Sequence, residues 1–293
     1  MQITIGPVLF NWSNPEWADF YARIAEEAPV DRVVLGEVIC SKRMPFRSDV
    51  IGDVVERLER AGKDVVLATL ALPTLKREIA EIGEAAGGDH MIEVNDIAAV
   101  YQLGGRAHVV GPFINVYNEH TLKVLEGLGA RTVCLPPELP AQSIRAIAAC
   151  RTTADIEVLA FGRAPLAVSA RCYHARLHNL TKDSCRYVCD QDRDGLDVDT
   201  LDGQKFLAVN GIATMASGVT VLGRELTTLA DAGVSRIRLS PHTCDMVAVS
   251  AAYRDLCDGR IDAAELMAVI QQQPLPGAIV NGYVHGRAGS IFA

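Results

Sequence analysis

The sequence predicts an α/β fold, a TIM-like (β/α)8 barrel with a cysteine-bearing insertion between its seventh and eighth strands. Short apolar runs recur along the 293 residues with helical stretches between them. The runs are apolar throughout rather than alternating, which is typical of parallel strands buried on both faces. Eight such runs separated by helices favour a closed barrel over an open sheet.

The strand and helix boundaries follow from apolar runs and from capping residues. Asn14 is a favoured N-cap for a first helix over residues 15–27, and Gly62 ends a second helix over 48–61. A third helix begins at Pro73 and fades near Gly87, and a short one follows Asp96. The eight predicted strands are residues 3–10, 32–37, 64–69, 90–94, 107–112, 132–136, 156–161 and 236–240.

The regular spacing breaks once, between the seventh and eighth strands. The insertion, residues 163–222, contains three clustered cysteines and an acidic run at 190–199 that is expected to be a solvated loop. It also contains a predicted hairpin of residues 206–210 and 212–222, with Asn210-Gly211 as its turn. A helix over 223–232 then leads back to the barrel.

Composition narrows the function classes. The net charge of −8 disfavours nonspecific binding to nucleic acid. No apolar run is long enough to span a bilayer, and the N-terminus lacks the pattern of a signal peptide. The expected location is therefore cytoplasmic, where the eight cysteines stay reduced and available to metals.

Four cysteines form the main candidate site. Cys172, Cys185 and Cys189 fall within eighteen residues, and Cys40 lies far upstream. Four thiolates are a complete ligand set for a soft metal ion or an iron–sulfur cluster, and this spacing does not choose between zinc and a cluster. Cys185 and Cys189 would share one face if their turn is helical. The alternative is that these cysteines are buried apolar filler.

Polar residues collect at the carboxyl ends of the predicted strands, where barrel enzymes place their sites. The candidates for a polar substrate rim are Arg43, Glu93, Asn115 and Arg171. Each has a structural alternative: Glu93 suits an ion-paired scaffold position, and the segment 115–118 suits a helix start capped by Asn118. His174 and His178 lie among the cysteines but are not needed if four thiolates hold the centre.

Several motifs together resemble peptidase family U32, in particular its members in oxygen-independent ubiquinone biosynthesis. They are Leu35-Gly-Glu-Val-Ile-Cys-Ser-Lys-Arg43, Asn115-Val-Tyr-Asn118, Ser169-Ala-Arg-Cys172, Lys182-Asp-Ser-Cys185 with Cys189, Asn210-Gly-Ile-Ala-Thr-Met215 and Arg238-Leu-Ser-Pro241. The opening Gly6-Pro-Val-Leu-Phe10 and the closing Asn281-Gly-Tyr283 are also similar. One departure is His242, where the family pattern has glutamine.

The resemblance implies a single U32-type barrel domain over residues 1–293 and a [4Fe–4S] cluster on Cys40, Cys172, Cys185 and Cys189. It also implies a heterodimer with a UbiU-like U32 protein and a UbiT-like lipid-binding protein that presents the ubiquinone precursor. The implied activity is hydroxylation of that precursor without dioxygen. Two alternatives remain: a U32-type peptidase, and a noncatalytic scaffold subunit that carries the cluster.

Overall fold

The computed structural model describes residues 1–293 and contains a closed barrel of eight parallel strands, which confirms the predicted fold class. The barrel consists of β1 to β7 and β13, and it closes because β13 pairs with both β1 and β7. The strands are β1 Gln2–Ile5, β2 Arg32–Leu35, β3 Asp64–Ala68, β4 Met91–Val94, β5 His108–Val110, β6 Ala130–Cys134, β7 Asp155–Gly162, β8 Pro165–Val168, β9 Leu196–Asp199, β10 Lys205–Asn210, β11 Ala213–Ala216, β12 Val219–Val221, β13 Val234–Leu239 and β14 Ile279–Val280.

Helices surround the barrel, and none of them combines the length and apolar character needed to cross a bilayer. They are α1 Asn14–Glu27, α2 Met44–Arg47, α3 Ile51–Arg60, α4 Lys76–Gly87, α5 Ile97–Leu103, α6 Glu119–Gly127, α7 Ala141–Ala149, α8 Tyr173–Leu177, α9 Glu225–Asp231, α10 Met246–Cys257 and α11 Ala263–Gln271. Helix α4 begins at Lys76, three residues after the predicted start at Pro73. The side chain of Glu78 accepts the backbone N–H groups of Thr74 and Leu75 just before this helix.

The N-cap predicted for α1 is wrong by one residue. Ser13 caps the helix and forms a capping box with Glu16, so two N-terminal backbone donors are satisfied reciprocally. Asn14 instead donates its side-chain amide to the backbone oxygen of Phe46. It thereby fastens the start of α1 to α2, the short helix that follows Cys40.

The insertion forms a second, antiparallel sheet in the order β8-β11-β10-β9. Asn210 pairs with Ala213, so the hairpin turn is Gly211-Ile212, one residue beyond the predicted turn. The predicted second arm, 212–222, divides at Gly218 into β11 and β12. A Cβ at Gly218 would lie 2.7 Å from a methyl carbon of Val280, and β12 leaves the hairpin to pair with β7 and β14.

Residues 190–199 were expected to form a solvated loop, and none of them is buried, but the last four form a strand. The run enters β9, which pairs with β10, and three of its aspartates bind basic groups elsewhere. Asp192 contacts His174, Asp194 contacts His242, and Asp197 contacts Arg163. One apolar cluster includes barrel residues such as Ile237 together with Cys172 and Met215, so the insertion packs directly on the barrel.

Candidate metal centre at the barrel rim

Each of the four predicted ligands lies in a loop or at a helix end above the barrel. Cys40 follows β2 and precedes a 3-10 helix at Ser41–Arg43. Cys172 is the N-cap of α8, and Cys189 lies in a 3-10 helix at Val188–Asp190. Cys185 precedes that helix, and all four thiols are free. We call these four residues the cysteine pocket.

The chain between Cys185 and Cys189 is not one helical turn, contrary to the spacing argument. Arg186 and Tyr187 adopt positive φ angles of 50° and 56°, which only a minority of side-chain-bearing residues adopt. The two cysteines therefore take their positions from a tight loop. Tyr187 packs edge-on against Phe46 with ring centroids 4.8 Å apart, which ties this loop to α2.

Arg43 connects the N-terminal and insertion segments of the cysteine pocket. Its guanidinium is 1% exposed and lies 3.3 Å from the sulfur of Cys189. It also donates to the backbone oxygen of Leu9 at 3.0 Å and to the side chain of Asn210 at 2.9 Å. Arg43 was predicted as a substrate-rim residue, and the structure buries it against the sulfur of Cys189.

Lys42 joins the Cys40 loop to the Cys185 loop. Its ammonium nitrogen lies 3.7 Å from the sulfur of Cys185 and donates to the backbone oxygens of Lys182 and Asp183 at 2.9 and 3.1 Å. No carboxylate lies within ion-pair distance of this ammonium group. Two consecutive basic residues thus reach two different cysteines, and Cys40 is close to both in sequence.

Cys172 completes the pocket from the side of α8. The backbone N–H of Ala175 donates to its sulfur at 3.4 Å. Burial raises the pKa of the Cys172 thiol, and the neighbouring Cys189 and Cys185 groups raise it further against that hydrogen bond. Burial also raises the pKa of Cys40, although Arg43 opposes the shift. Both thiols are protonated at neutral pH, and a bound metal would displace those protons.

The spacing of the sulfurs bears on which centre fits. No three cysteine sulfurs lie within 4.8 Å of one another, whereas the donor atoms of His174, His178 and Asp192 do. A single zinc ion at about 2.3 Å would draw its four sulfurs to roughly 3.8 Å apart. A cluster with one thiolate on each iron holds its cysteines further apart. Three of these sulfurs would therefore have to move closer together to share one zinc ion.

The charge around the pocket also fits an anionic centre. Asn11 donates to the sulfur of Cys189 at 3.5 Å, beside the Arg43 contact. Glu37 is the carboxylate nearest Arg43, at 3.8 Å, and it is occupied by the backbone N–H groups of Ile39 and Cys40. Positive groups and neutral donors therefore face the sulfurs, and hydrogen bonds to sulfur stabilise the reduced form of a cluster.

The sequence model of peptidase family U32 matches residues 18–290, a span that includes all four cysteines. The chain belongs to peptidase family U32. Because all four cysteines lie within the matched residues, the cysteine pocket belongs to the U32 domain.

The other three predicted rim residues of this U32 protein differ in exposure. Glu93 is fully buried inside the barrel and forms an ion pair with Arg238. Asn115 and Arg171 are exposed. Asn118 caps α6 by accepting the N–H of Thr121 at 2.9 Å, as the alternative for that segment predicted.

Sequence reasoning missed the role of His242. This buried histidine accepts the backbone N–H of Arg163 through Nε2 at 3.0 Å and lies 3.0 Å from Asp194 through Nδ1. The two contacts assign the proton to Nδ1. The pair fastens the acidic run to the segment after β13. Its two residues are 48 positions apart, and an acidic run alone does not indicate which member makes this contact.

A groove beside Lys42 is the largest nearby cavity, with a volume of roughly 640 Å³. Its lining includes the apolar side chains of Leu35, Met44 and Leu67. Charged residues of both signs also line it: Lys42, Arg47, Arg77, Glu37 and Glu81. Cavities of this size commonly hold small organic ligands. We call it the lateral groove, and it adjoins the Cys185 loop through Tyr187.

Proposed function

We propose that this U32 protein is a UbiV-like iron–sulfur subunit of an oxygen-independent hydroxylase in ubiquinone biosynthesis. Cys40, Cys172, Cys185 and Cys189 would hold a [4Fe–4S] cluster. The observation that carries the proposal is the Lys42-Arg43 pair, whose cationic groups lie against sulfurs of Cys185 and Cys189 with only one carboxylate nearby. No three of the four sulfurs lie within 4.8 Å of one another, which supports a cluster over a single zinc ion.

A bound cluster supplies one-electron transfer at a potential that its surroundings set. The chain's own residues would tune that potential. Arg43 and Asn11 donate to Cys189, and the Ala175 N–H donates to Cys172, so negative charge on the thiolates is stabilised. Cys172 and Cys189 are 9% and 8% exposed, which keeps water away from that side of the pocket.

The lateral groove suits an aromatic ring that carries an anionic substituent. Its apolar residues would bury the ring, and Lys42 and Arg77 would pair with the negative group, since the three basic residues of the lining outnumber its two carboxylates, Glu37 and Glu81. Lys42 also lies against Cys185, so a ring in this groove would sit beside the cysteine pocket. The UbiU-like partner and the UbiT-like carrier of the ubiquinone precursor are part of the proposal through the family resemblance.

The first test is the metal content of protein purified without oxygen. We expect iron and acid-labile sulfide together with visible absorption, and Cys189→Ser should lower both to background. Cys150→Ser is the matched control, because Cys150 caps the end of α7 and lies outside the pocket; it should retain full iron. A colourless protein with one zinc ion on the four cysteines would contradict the cluster.

The second test compares quinone intermediates in anaerobic cells with and without the gene. Accumulation of an unhydroxylated precursor is expected, and unaltered ubiquinone would contradict the function. Arg77→Gln should reduce hydroxylation while iron content stays constant, with the neighbouring exposed Lys76→Gln as its control. Equal hydroxylation in both variants would favour the scaffold alternative, and peptide cleavage by metal-free protein would favour the peptidase.

A further inference from the structure

A second group of ligand-type side chains lies beside the cysteine pocket. His174 and His178 are four residues apart at α8, a spacing that places side chains on the same helix face. Their rings are parallel within 5° and their centroids are 5.8 Å apart. The same i, i+4 histidine spacing holds a metal ion on helices of other proteins.

Asp192 reaches this pair from the other side. Its Oδ2 lies 2.8 Å from Nε2 of His174. One donor atom from each of the three residues lies within 4.8 Å of the other two. Two ligands at about 2.1 Å from one ion and at right angles are about 3 Å apart. The Asp192–His174 separation therefore already matches that of adjacent ligands, and only His178, which is exposed, must rotate to close the set.

We propose that His174, His178 and Asp192 form a second metal site, which takes one divalent transition ion such as ferrous iron or zinc. Two imidazoles and one carboxylate favour ions of the iron-to-zinc series over magnesium or calcium. Three protein ligands leave coordination positions open for water or for an oxygen atom of a small molecule.

The backbone on both sides of this site is already positioned by the cysteine pocket. His174 follows Cys172 by two residues, and Asp192 follows Cys189 by three. His174 is completely buried, so its orientation is held by packing, and its Nδ1 has no hydrogen-bond partner. A purely structural ion pair would explain the 2.8 Å contact between Asp192 and His174. It would not explain the position of His178, whose ring has no hydrogen bond.

The test uses cluster-loaded protein, purified anaerobically and freed of loosely bound ions. Zinc is titrated in competition with a chromophoric chelator, and one zinc ion per chain beyond the cluster is expected. X-ray absorption at the zinc edge should show nitrogen and oxygen ligands without sulfur. His178→Ala should weaken zinc binding about tenfold or more. His120→Ala, which removes an exposed histidine of α6, should leave it unchanged.

Sulfur in the zinc coordination sphere, or equal zinc affinity in the original protein and His178→Ala, would overturn the proposal. His178 is exposed, so its replacement should not perturb folding, and an unchanged melting temperature checks this point. Asp192→Asn gives a second reading: loss of stability without loss of zinc binding would assign Asp192 to a structural pair only. The proposal rests on the proposed function only in that a cluster occupies the cysteines. Iron and sulfide content, measured before the titration, reports failure of the cluster separately from failure of this zinc site.

Discussion

The barrel interior and the cysteine pocket both bury arginine, but they neutralise it differently. Inside the barrel, Arg238 lies between two carboxylates of the same chain, Glu93 and Glu157. In the pocket, Arg43 meets a sulfur, a backbone oxygen and an amide, with one carboxylate 3.8 Å away. The first arrangement is complete by itself, whereas the second leaves positive charge for an anionic ligand.

The pKa values of the buried carboxylates shift in opposite directions in the two regions. Burial alone would raise the pKa of Glu157, but Arg238 outweighs it and the pKa is lowered. At the pocket, burial raises the pKa of Glu37, and Arg43 and two backbone N–H groups do not fully offset it. The comparison shows that Arg238 is neutralised by carboxylates on both sides, whereas Arg43 keeps positive charge beside a sulfur.

Breaking the ion pairs inside the barrel should have the largest effect on stability. Arg238→Met leaves Glu93 and Glu157 buried without their cation, and removal of one partner of such a pair costs about 3–5 kcal/mol. Urea unfolding of the metal-free protein measures the loss. Arg236→Met is the control on the same strand, since its partner Asp155 is half exposed and the loss should stay below about 1 kcal/mol. Equal losses would refute the distinction.

The His242–Asp194 contact should make the junction of insertion and barrel sensitive to acid. Burial would raise the pKa of Asp194, but hydrogen bonds from His242 and Thr243 outweigh it and lower the pKa below 3.8. Because the folded pKa is the lower one, this stabilisation is complete above pH 3.8 and is lost as pH falls through the folded value. Asp194→Asn should cost about 1.5–3 kcal/mol at pH 7.

Denaturation of both proteins across the acidic range checks this second prediction. The stability gap between Asp194→Asn and the original protein should shrink as pH falls below 3.8. Asp231→Asn, an exposed position at the end of α9, is the control and should follow the original protein. A gap that stays constant with pH would show that Asp194 acts only through neutral hydrogen bonds.

Gly211 tests how closely the hairpin turn is fitted to Arg43. The glycine has φ of +62°, and a Cβ there would lie 2.9 Å from Nη2 of Arg43. Gly211→Ala should cost about 1–2 kcal/mol from backbone strain and should also lower cluster iron by displacing Arg43. Gly203→Ala, at φ of +80° with open space around it, should show the strain alone and keep its iron.

Lys42→Gln should have the smallest effect on stability and a specific effect on the cluster. The ammonium group has no carboxylate partner, so its loss leaves no buried charge unpaired. Removal of one positive charge beside Cys185 should lower the reduction potential by on the order of tens of millivolts, given about 59 mV per tenfold change for one electron. Anaerobic redox titration measures this. An unchanged potential would place Lys42 outside the electrostatic environment of the centre.

Local patterns in the sequence were sufficient for the barrel. All eight predicted strands are present, with ends that shift by a few residues, because a parallel strand buried on both faces must be continuously apolar. Local patterns also predicted the four cysteines as candidate ligands, because a cysteine with basic neighbours can be recognised within a single short segment. The failures at Gly211 and in the acidic run fall where contacts with distant segments decide the conformation. The failure at Ser13 has a local cause, because the Ser13–Glu16 capping box is a pattern that the sequence itself contains.

The order of apolar and polar residues by itself determined the fold class, because a parallel strand buried on both faces is recognisable within a short window. It also predicted four cysteines as candidate ligands, without choosing between a metal ion and a cluster. Only the tertiary structure decided which charges meet. Glu93 and Arg43 were both predicted as rim residues at the carboxyl end of a barrel strand, yet one is neutralised inside the barrel and the other contacts a sulfur. Charge pairing depends on distances between segments far apart in the chain, and composition does not encode those distances.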